Sequence, residues 1–279
     1  MTMQEAIEHF SEHLRISAKK RTLEGYKKLL EQLQTKFNGR QIEEITAEEL
    51  CKCLETFTEG LARATRRLRY AQLRALFNFS INTFQLSIKN PCSSPQLFKS
   101  FKGVPQQPRR ILDKETVDEI IFNTRNSRDR LILELQARCG LRIGEVLKLR
   151  VSDISGRKLL IQEPKSGRDV EVAFMPEHIA ARLADFVIES NLSTGDRIFD
   201  LCYSTVRNLV VKLGRQLNVH IAPHDLRRHS ATYASRNGVP LEIISKVILR
   251  HQDLKTTQVY LGKVSDSEAI RWMDVLHGR

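Results

Sequence analysis

The sequence predicts a mainly helical protein with one small β-sheet, in which an all-helical first domain precedes an α+β second domain. Three observations lead there. Apolar residues recur at helical spacing along most of the chain, only residues 158–162 and 169–174 alternate with a period of two, and a proline-rich basic stretch separates two halves. The 279 residues suit two domains of roughly 100–200 residues each. The expected division is a helical domain over 1–88, a linker over 89–110 and a second domain over 111–279.

In the first half, Met3, Ala6, Ile7, Phe10 and Leu14 mark a first helix, and Leu23, Tyr26, Leu29, Leu30, Leu33 and Phe37 mark a second. Thr22 is the expected N-cap of the second helix. Lys19, Lys20 and Arg21 stand just before it, where a helix N-terminus can meet phosphate. Thr46-Ala47-Glu48-Glu49 has the form of a capping box and opens a third helix.

A fourth helix, 61–83, places Arg63, Arg66, Arg67, Tyr70 and Arg74 on one face, with Leu61, Ala64, Leu68, Ala71, Ala75, Leu76 and Phe79 on the other. The basic face holds no acid, and like charges at that spacing repel, so an anionic partner is expected to offset them. A helix of this diameter fits the DNA major groove, where arginine holds phosphates or base edges. The stretch 89–110 carries Pro91, Pro95, Pro105 and Pro108 and reads as a hinge that lets two basic domains close around duplex DNA.

In the second half Asp113 is the expected cap of a helix over 114–123, and RDRLILELQARC forms an apolar helix ending at Gly140. Arg142 then starts a new helix with Glu145 one turn on; alone, the two read as an ordinary surface pair. The alternating segments form a hairpin around Pro164-Lys165-Ser166-Gly167-Arg168, with Lys165 at its tip. Helices over 176–190 and 204–217 read as scaffold. A helix from Asp225 to Arg236 stops at Asn237-Gly238, and Pro240 begins another with Ile243, Ile244, Val247 and Ile248 inward. Thr256-Thr257 is expected to cap a short helix carrying Tyr260, and Ser265-Asp266-Ser267 opens a last helix with Ala269, Ile270, Trp272, Met273 and Leu276 apolar.

The formal net charge of +12 and pI near 9.7 point to a polyanionic partner. No apolar run approaches the ~20 residues of a membrane span, and MTMQEAIEHF lacks a signal-peptide layout, so a cytosolic protein is expected, nucleoid-associated when on DNA. Cys51, Cys53, Cys92, Cys139 and Cys202 lack disulfide or zinc spacing, and all five are expected reduced and structural.

The segment from Pro223 to Leu261 gathers His224, Arg227, His251 and Tyr260, side chains that together can attack a phosphodiester without a metal. GLRIGEVLKL (140–149), HDLRRHSAT (224–232) and LRHQDLKTTQVYL (249–261) resemble, in order and spacing, the tyrosine site-specific recombinases, the family of phage integrases, Cre and the Xer proteins. The likeness spans essentially the whole chain, though the first domain resembles the family's core-binding domain only in pattern.

The resemblance implies a C-shaped clamp on double-stranded DNA and a site-specific recombinase that cleaves and rejoins strands through a 3′-phosphotyrosyl intermediate, with no ATP, metal or other cofactor. It implies that Arg142 and Arg227 clamp the scissile phosphate, Glu145 supports the first arginine, Lys165 is the hairpin lysine, His224 and His251 are the two histidines, and Tyr260 is the nucleophile. It also implies a homo-tetramer on two duplexes, linked through the C-terminal helix over 267–277. A type IB topoisomerase-like enzyme and a catalytically silent DNA-binding regulator are the alternatives.

The chemistry agrees with those roles. A phenol with a pKa of roughly 10 needs a base and a cationic setting, and His224 is the candidate base. Forked guanidiniums stabilise the charge on the non-bridging oxygens, His251 can donate to the same oxygens, and Lys165 can protonate the leaving 5′ oxygen. Arg250 stands where the family commonly has glycine and offers an extra phosphate contact; Arg228 stands where it often has histidine. LGKVSD after Tyr260 differs from the YTHV-like sequence frequent in Xer proteins and argues against a chromosome-dimer resolvase. The lack of an arm-binding segment before residues 1–14 argues against a lambda-type integrase.

Overall fold

A computed structural model of the chain describes residues 1–101, 111–164, 170–261, 270 and 273–275, with the backbone alone for Val259 and Tyr260. The chain forms two compact units, Met1–Gln107 and Pro108–Arg279.

In the first unit, α1 (Met3–Ser17), α2 (Lys20–Lys36), α3 (Ala47–Phe57), α4 (Arg63–Phe84) and α5 (Pro95–Phe101) enclose one apolar core. Capping boxes at Thr2/Glu5 and Thr46/Glu49 start α1 and α3, each satisfying two backbone donors that a helix end leaves open. Helix α2 starts at Lys20 with Lys19 as its N-cap, earlier than the expected Thr22.

The expected linker is corrected between Pro91 and Phe101. This stretch forms a 3-10 turn and α5, and it inserts Cys92, Leu97 and Phe101 into the first core. Its prolines sit at helix starts, where their missing N–H costs nothing. Residues 102–110 lie outside the described residues.

The second unit begins with α6 (Lys114–Asn123), capped by Asp113, and α7 (Ser127–Ala137), capped by Asn126. The four-residue α8 (Ile143–Val146) follows. Strands β1 (Ile154–Ser155), β2 (Lys158–Gln162) and β3 (Val170–Phe174) then make an antiparallel sheet in that order. Leu160 faces Val172 and Ile161 faces Glu171. Leu159, Ile161, Glu171 and Ala173 point inward, so a carboxylate shares the buried face of the sheet. The two-residue β1 had no sequence signal, being too short to show alternation.

Helices α9 (Glu177–Glu189), α10 (Tyr203–Gln216) and α11 (Pro223–Arg236) complete the main core. Helix α11 starts at Pro223, before the expected Asp225. The short α12 (Leu241–Ile243) runs into a π-turn, Ile244–Ile248, and α13 (Leu254–Leu261) follows. The π-turn changes the phase expected for 241–248: Ile244 and Ser245 are buried while Ile243 is 45% exposed. Thr256 and Thr257 lie inside α13 rather than capping it.

Candidate active site

Three chain segments meet around one carboxylate. After α7 the backbone turns at Gly140, whose φ of +65° leaves a cost for any other residue; a Cβ there would also lie 2.8 Å from the Ile248 carbonyl oxygen. This close approach brings Arg142 and Glu145 against the turn before His251. On α8 the Glu145 carboxylate accepts from the Arg142 backbone N–H at 2.9 Å and from Arg142 Nη1 at 2.6 Å.

Arg227, one turn into α11 and fully buried, donates to the carbonyls of Gly140 and Leu249, and its Nη1 lies 3.7 Å from Glu145 Oε2. Arg250 Nη2 donates to the same oxygen at 2.7 Å. Far from an ordinary surface pair, Arg142 and Glu145 belong to a cluster of three guanidiniums on one buried carboxylate. Burial alone would push Glu145 up, but Arg250, Arg227 and Arg142 outweigh it and hold the carboxyl below its ordinary range.

The expectation that Arg250 contacts DNA is corrected. Its side chain is 3% exposed, its backbone is left-handed at φ +51°, and it is spent on Glu145, the Ile248 carbonyl (3.0 Å) and Glu171 (Nε to Oε2, 3.5 Å). Arg228 is buried as well, with Nη1 2.7 Å from Asp225 Oδ1.

His224 is exposed at the second position of α11, three residues before Arg227. Buried Gln136 anchors this end of the helix by donating to the Pro223 carbonyl at 3.0 Å. His251 is buried; its backbone N–H donates to the Ser245 carbonyl at 2.8 Å and its Nδ1 lies 2.9 Å from Thr257 Oγ1, which donates to Ser245 Oγ at 2.9 Å. Thr257 thus joins the His251 ring to Ser245 in one buried chain of hydrogen bonds. The sequence reading missed Ser245 and Thr257; a π-turn leaves no periodic signal.

Burial, then Arg227, Arg142, His224 and Arg250, push His251 down to about 4. Buried His229, bonded through Nδ1 to the Leu112 carbonyl, is lowered by burial too. Both rings are easier to protonate unfolded, so the stability they favour is present above pH ~6.5 and is lost as pH falls toward 4. The urea midpoint of the second unit is expected to be lower at pH 5 than at pH 7, with a smaller difference in His251→Gln. An equal midpoint at both pH values in the unsubstituted protein would contradict the buried neutral rings.

The backbone of Tyr260 lies in α13, three residues after Thr257. Lys165 falls outside the described residues, as do most of 267–277; residues 270 and 273–275 are helical, with Ile270, Met273 and Val275 exposed. Among the described residues no group of three or more His, Cys, Asp or Glu could hold a metal ion, and no helix is long and apolar enough to cross a membrane.

Two basic surfaces accompany the site, one on each unit. On α4 the expected stripe is corrected at several positions. Tyr70 is buried, donates its hydroxyl to the Cys92 carbonyl at 2.8 Å and stacks on Phe101, while Arg66 is half-buried with its guanidinium over the same ring. Leu61, Ala64, Leu68 and Ala71, expected inside, are exposed; the inner face is Tyr70, Leu73, Leu76, Phe77 and Ser80. The tyrosine, counted with the polar face, rotated that assignment. Arg63, Arg67 and Arg74 stay exposed, and the last two flank a groove of about 490 Å³ floored by Tyr70, Phe98 and Phe101.

Lys19, Lys20 and Arg21 are exposed at the start of α2, where the helix dipole disfavours cations. In the second unit a groove of about 480 Å³ runs along α10 between Arg207, Lys212, Arg215 and His220. That helix was read as scaffold, although it too contains no acid. Four cysteines are buried as expected, but Cys202 is exposed, and hydrogen bonds from Ser204 and Thr205 lower its thiol to about 7.

The chain is similar to known proteins in both of its units. Residues 110–265 match the phage integrase family, and residues 7–83 match the phage integrase N-terminal SAM-like domain. Tyrosine recombinase XerA of Pyrococcus horikoshii is 28% identical over 258 residues, 85% of this chain and 84% of the relative. XerA of Saccharolobus solfataricus is 28% identical over 159 residues, 56% of this chain and 53% of the relative. Among solved structures, the Tn1549 transposon integrase in complex with transposon right-end DNA has a TM-score of 0.75 and 16% identity over 99% of both chains, a likeness of fold. With the catalytic-family match covering more than half of its length, this chain belongs to the phage integrase family, the tyrosine recombinases.

Proposed function

We propose that the chain is a site-specific DNA recombinase that breaks and rejoins strands through a 3′-phosphotyrosyl link to Tyr260. The observation that carries this is the cluster of Arg142, Arg227 and Arg250 on buried Glu145, beside His224 and His251. Arg142, 22% exposed and already oriented by the carboxylate, meets developing charge on a phosphate without reorganising, the condition under which such donors act most strongly, while fully buried Arg227 backs it from the Gly140 and Leu249 carbonyls. His224 takes the tyrosyl proton, and Lys165, between β2 and β3 in sequence, protonates the leaving 5′ oxygen. The bond energy stays in the protein–DNA link, so a second 5′ hydroxyl reverses the step without ATP.

His251 acts once DNA is bound. A phosphodiester anion beside the ring favours its protonated form, in which Nε2 donates to a non-bridging oxygen. The exposed apolar residues Ile270, Met273 and Val275 suit docking on another protomer, consistent with a tetramer on two duplexes.

The test is covalent capture. Protein incubated with duplex DNA in EDTA and quenched in detergent is expected to carry DNA on a 3′ phosphate, leaving free 5′ hydroxyl ends whose sequence gives the target site and spacing. An adduct that forms only with Mg²⁺ would overturn the metal-free mechanism. DNA contact by α4 has its own test: replacing Arg63, Arg67 and Arg74 with alanine should weaken binding and reduce the slope of log affinity against log salt by about 0.9 per arginine. An unchanged slope would remove that face from the interface.

A further inference from the structure

Arg250 pays for its place twice. It adopts the left-handed backbone at φ +51°, a conformation unfavourable for a side-chain-bearing residue, and it buries a guanidinium at 3% exposure. The reason lies in a second carboxylate beside that guanidinium. Glu171, on the inner face of β3, is 4% exposed, and neither of its carboxylate oxygens has a hydrogen-bond partner; Arg250 Nε is 3.5 Å from Oε2. A buried carboxylate held by one long ion pair is costly as a structural device, since an apolar side chain would fill the same space at less expense.

We propose that Glu171 is a positioning residue for strand cleavage: it holds Arg250 against Glu145, and so keeps Arg142, the most exposed guanidinium on the same carboxylate, set for a phosphate. This rests on the strand-cleavage reading above. Glu145 has two oxygens for three guanidiniums. Oε1 takes Arg142 Nη1, while Oε2 takes the Arg142 backbone N–H and Arg250 Nη2, and Arg227 Nη1 remains at 3.7 Å. With Arg250 displaced, Oε2 would draw Arg227 Nη1 off the Gly140 carbonyl into a direct pair and shift the carboxylate that also holds Arg142. Glu171 opposes this by its charge beside Arg250 Nε, 3.5 Å away, which holds the guanidinium in place while Nη2 bonds Glu145.

Charge points the same way. Three guanidiniums against two carboxylates leave the empty cluster at plus one, which a single phosphodiester anion neutralises. Without Glu171 the cluster would stand at plus two and push its arginines apart.

The test uses the full chain on a nicked duplex carrying the site recovered from covalently held ends. Glu171→Gln is expected to slow single-turnover adduct formation about tenfold while the Kd for the same duplex stays within about twofold. Combining it with Arg250→Gly, which relieves the backbone, should give a rate no slower than Arg250→Gly alone, because both act through one contact. Should Glu171→Gln not fold, Glu171→Asp, which keeps the charge but shortens the reach, is expected to lose about threefold in rate with the same Kd. A wild-type rate in the Glu171 variant, a rate loss matched by a loss of affinity, or losses that multiply in the double variant would overturn the proposal. Adduct formation by the unsubstituted protein reports separately on the cleavage reading; its absence would remove that reading and this one together.

Discussion

Glu145→Ala is expected to destabilise the second unit by about 3–5 kcal/mol, the usual cost of deleting one partner from a buried ionic cluster. Glu145 is the common counter-ion of Arg142, Arg227 and Arg250, of which Arg227 and Arg250 are almost fully buried. Its removal leaves three like charges with Glu171 as their remaining buried carboxylate, and it opens the first turn of α8, where Glu145 satisfies the Arg142 N–H. Glu145→Gln should cost less, because an amide oxygen can still accept from that N–H, although it no longer balances the guanidiniums. In the folded fraction of either variant, cleavage should fall by about 10²–10³, the scale on which a misplaced transition-state donor acts. Urea unfolding and single-turnover cleavage measure the two effects. A change below about 1 kcal/mol would mean that water already neutralises the cluster.

Much of the fold was legible because its signals are local. Helical periodicity, the capping box at Thr46, and the alternation in β2 and β3 all involve residues a few positions apart. What was misread depended on distant partners. Tyr70 reads as part of a basic face until Cys92 and Phe101 come back across it, and the prolines after residue 90 read as a linker although Leu97 and Phe101 complete the first core.

The candidate site divides in the same way. Arg142, Glu145, His224, Arg227 and His251 could be named from their types and order. That Arg250 turns inward to Glu145 and Glu171 required contacts across 105 and 79 positions of chain, and the π-turn that sets Ser245 beneath His251 has no period to detect. The basic groove on α10 was readable, since the absence of acid that singled out α4 holds there too.

The largest effect on activity is expected at Tyr260. Helix α13 places its backbone one turn beyond Thr257, whose hydroxyl is bonded to His251, so the nucleophile's position in the chain is tied to the buried histidine. Phenylalanine keeps the ring and deletes only the phenolic oxygen, so folding and DNA binding are expected to stay unchanged. On the proposed mechanism, in contrast, the protein–DNA bond loses the oxygen on which it forms. The deciding measurement is therefore covalent capture of a nicked suicide duplex by Tyr260→Phe beside the unsubstituted protein, with binding to the same duplex measured in parallel. The account predicts no adduct from the variant and affinity within about twofold; an adduct at the unsubstituted rate would show that another residue is the nucleophile.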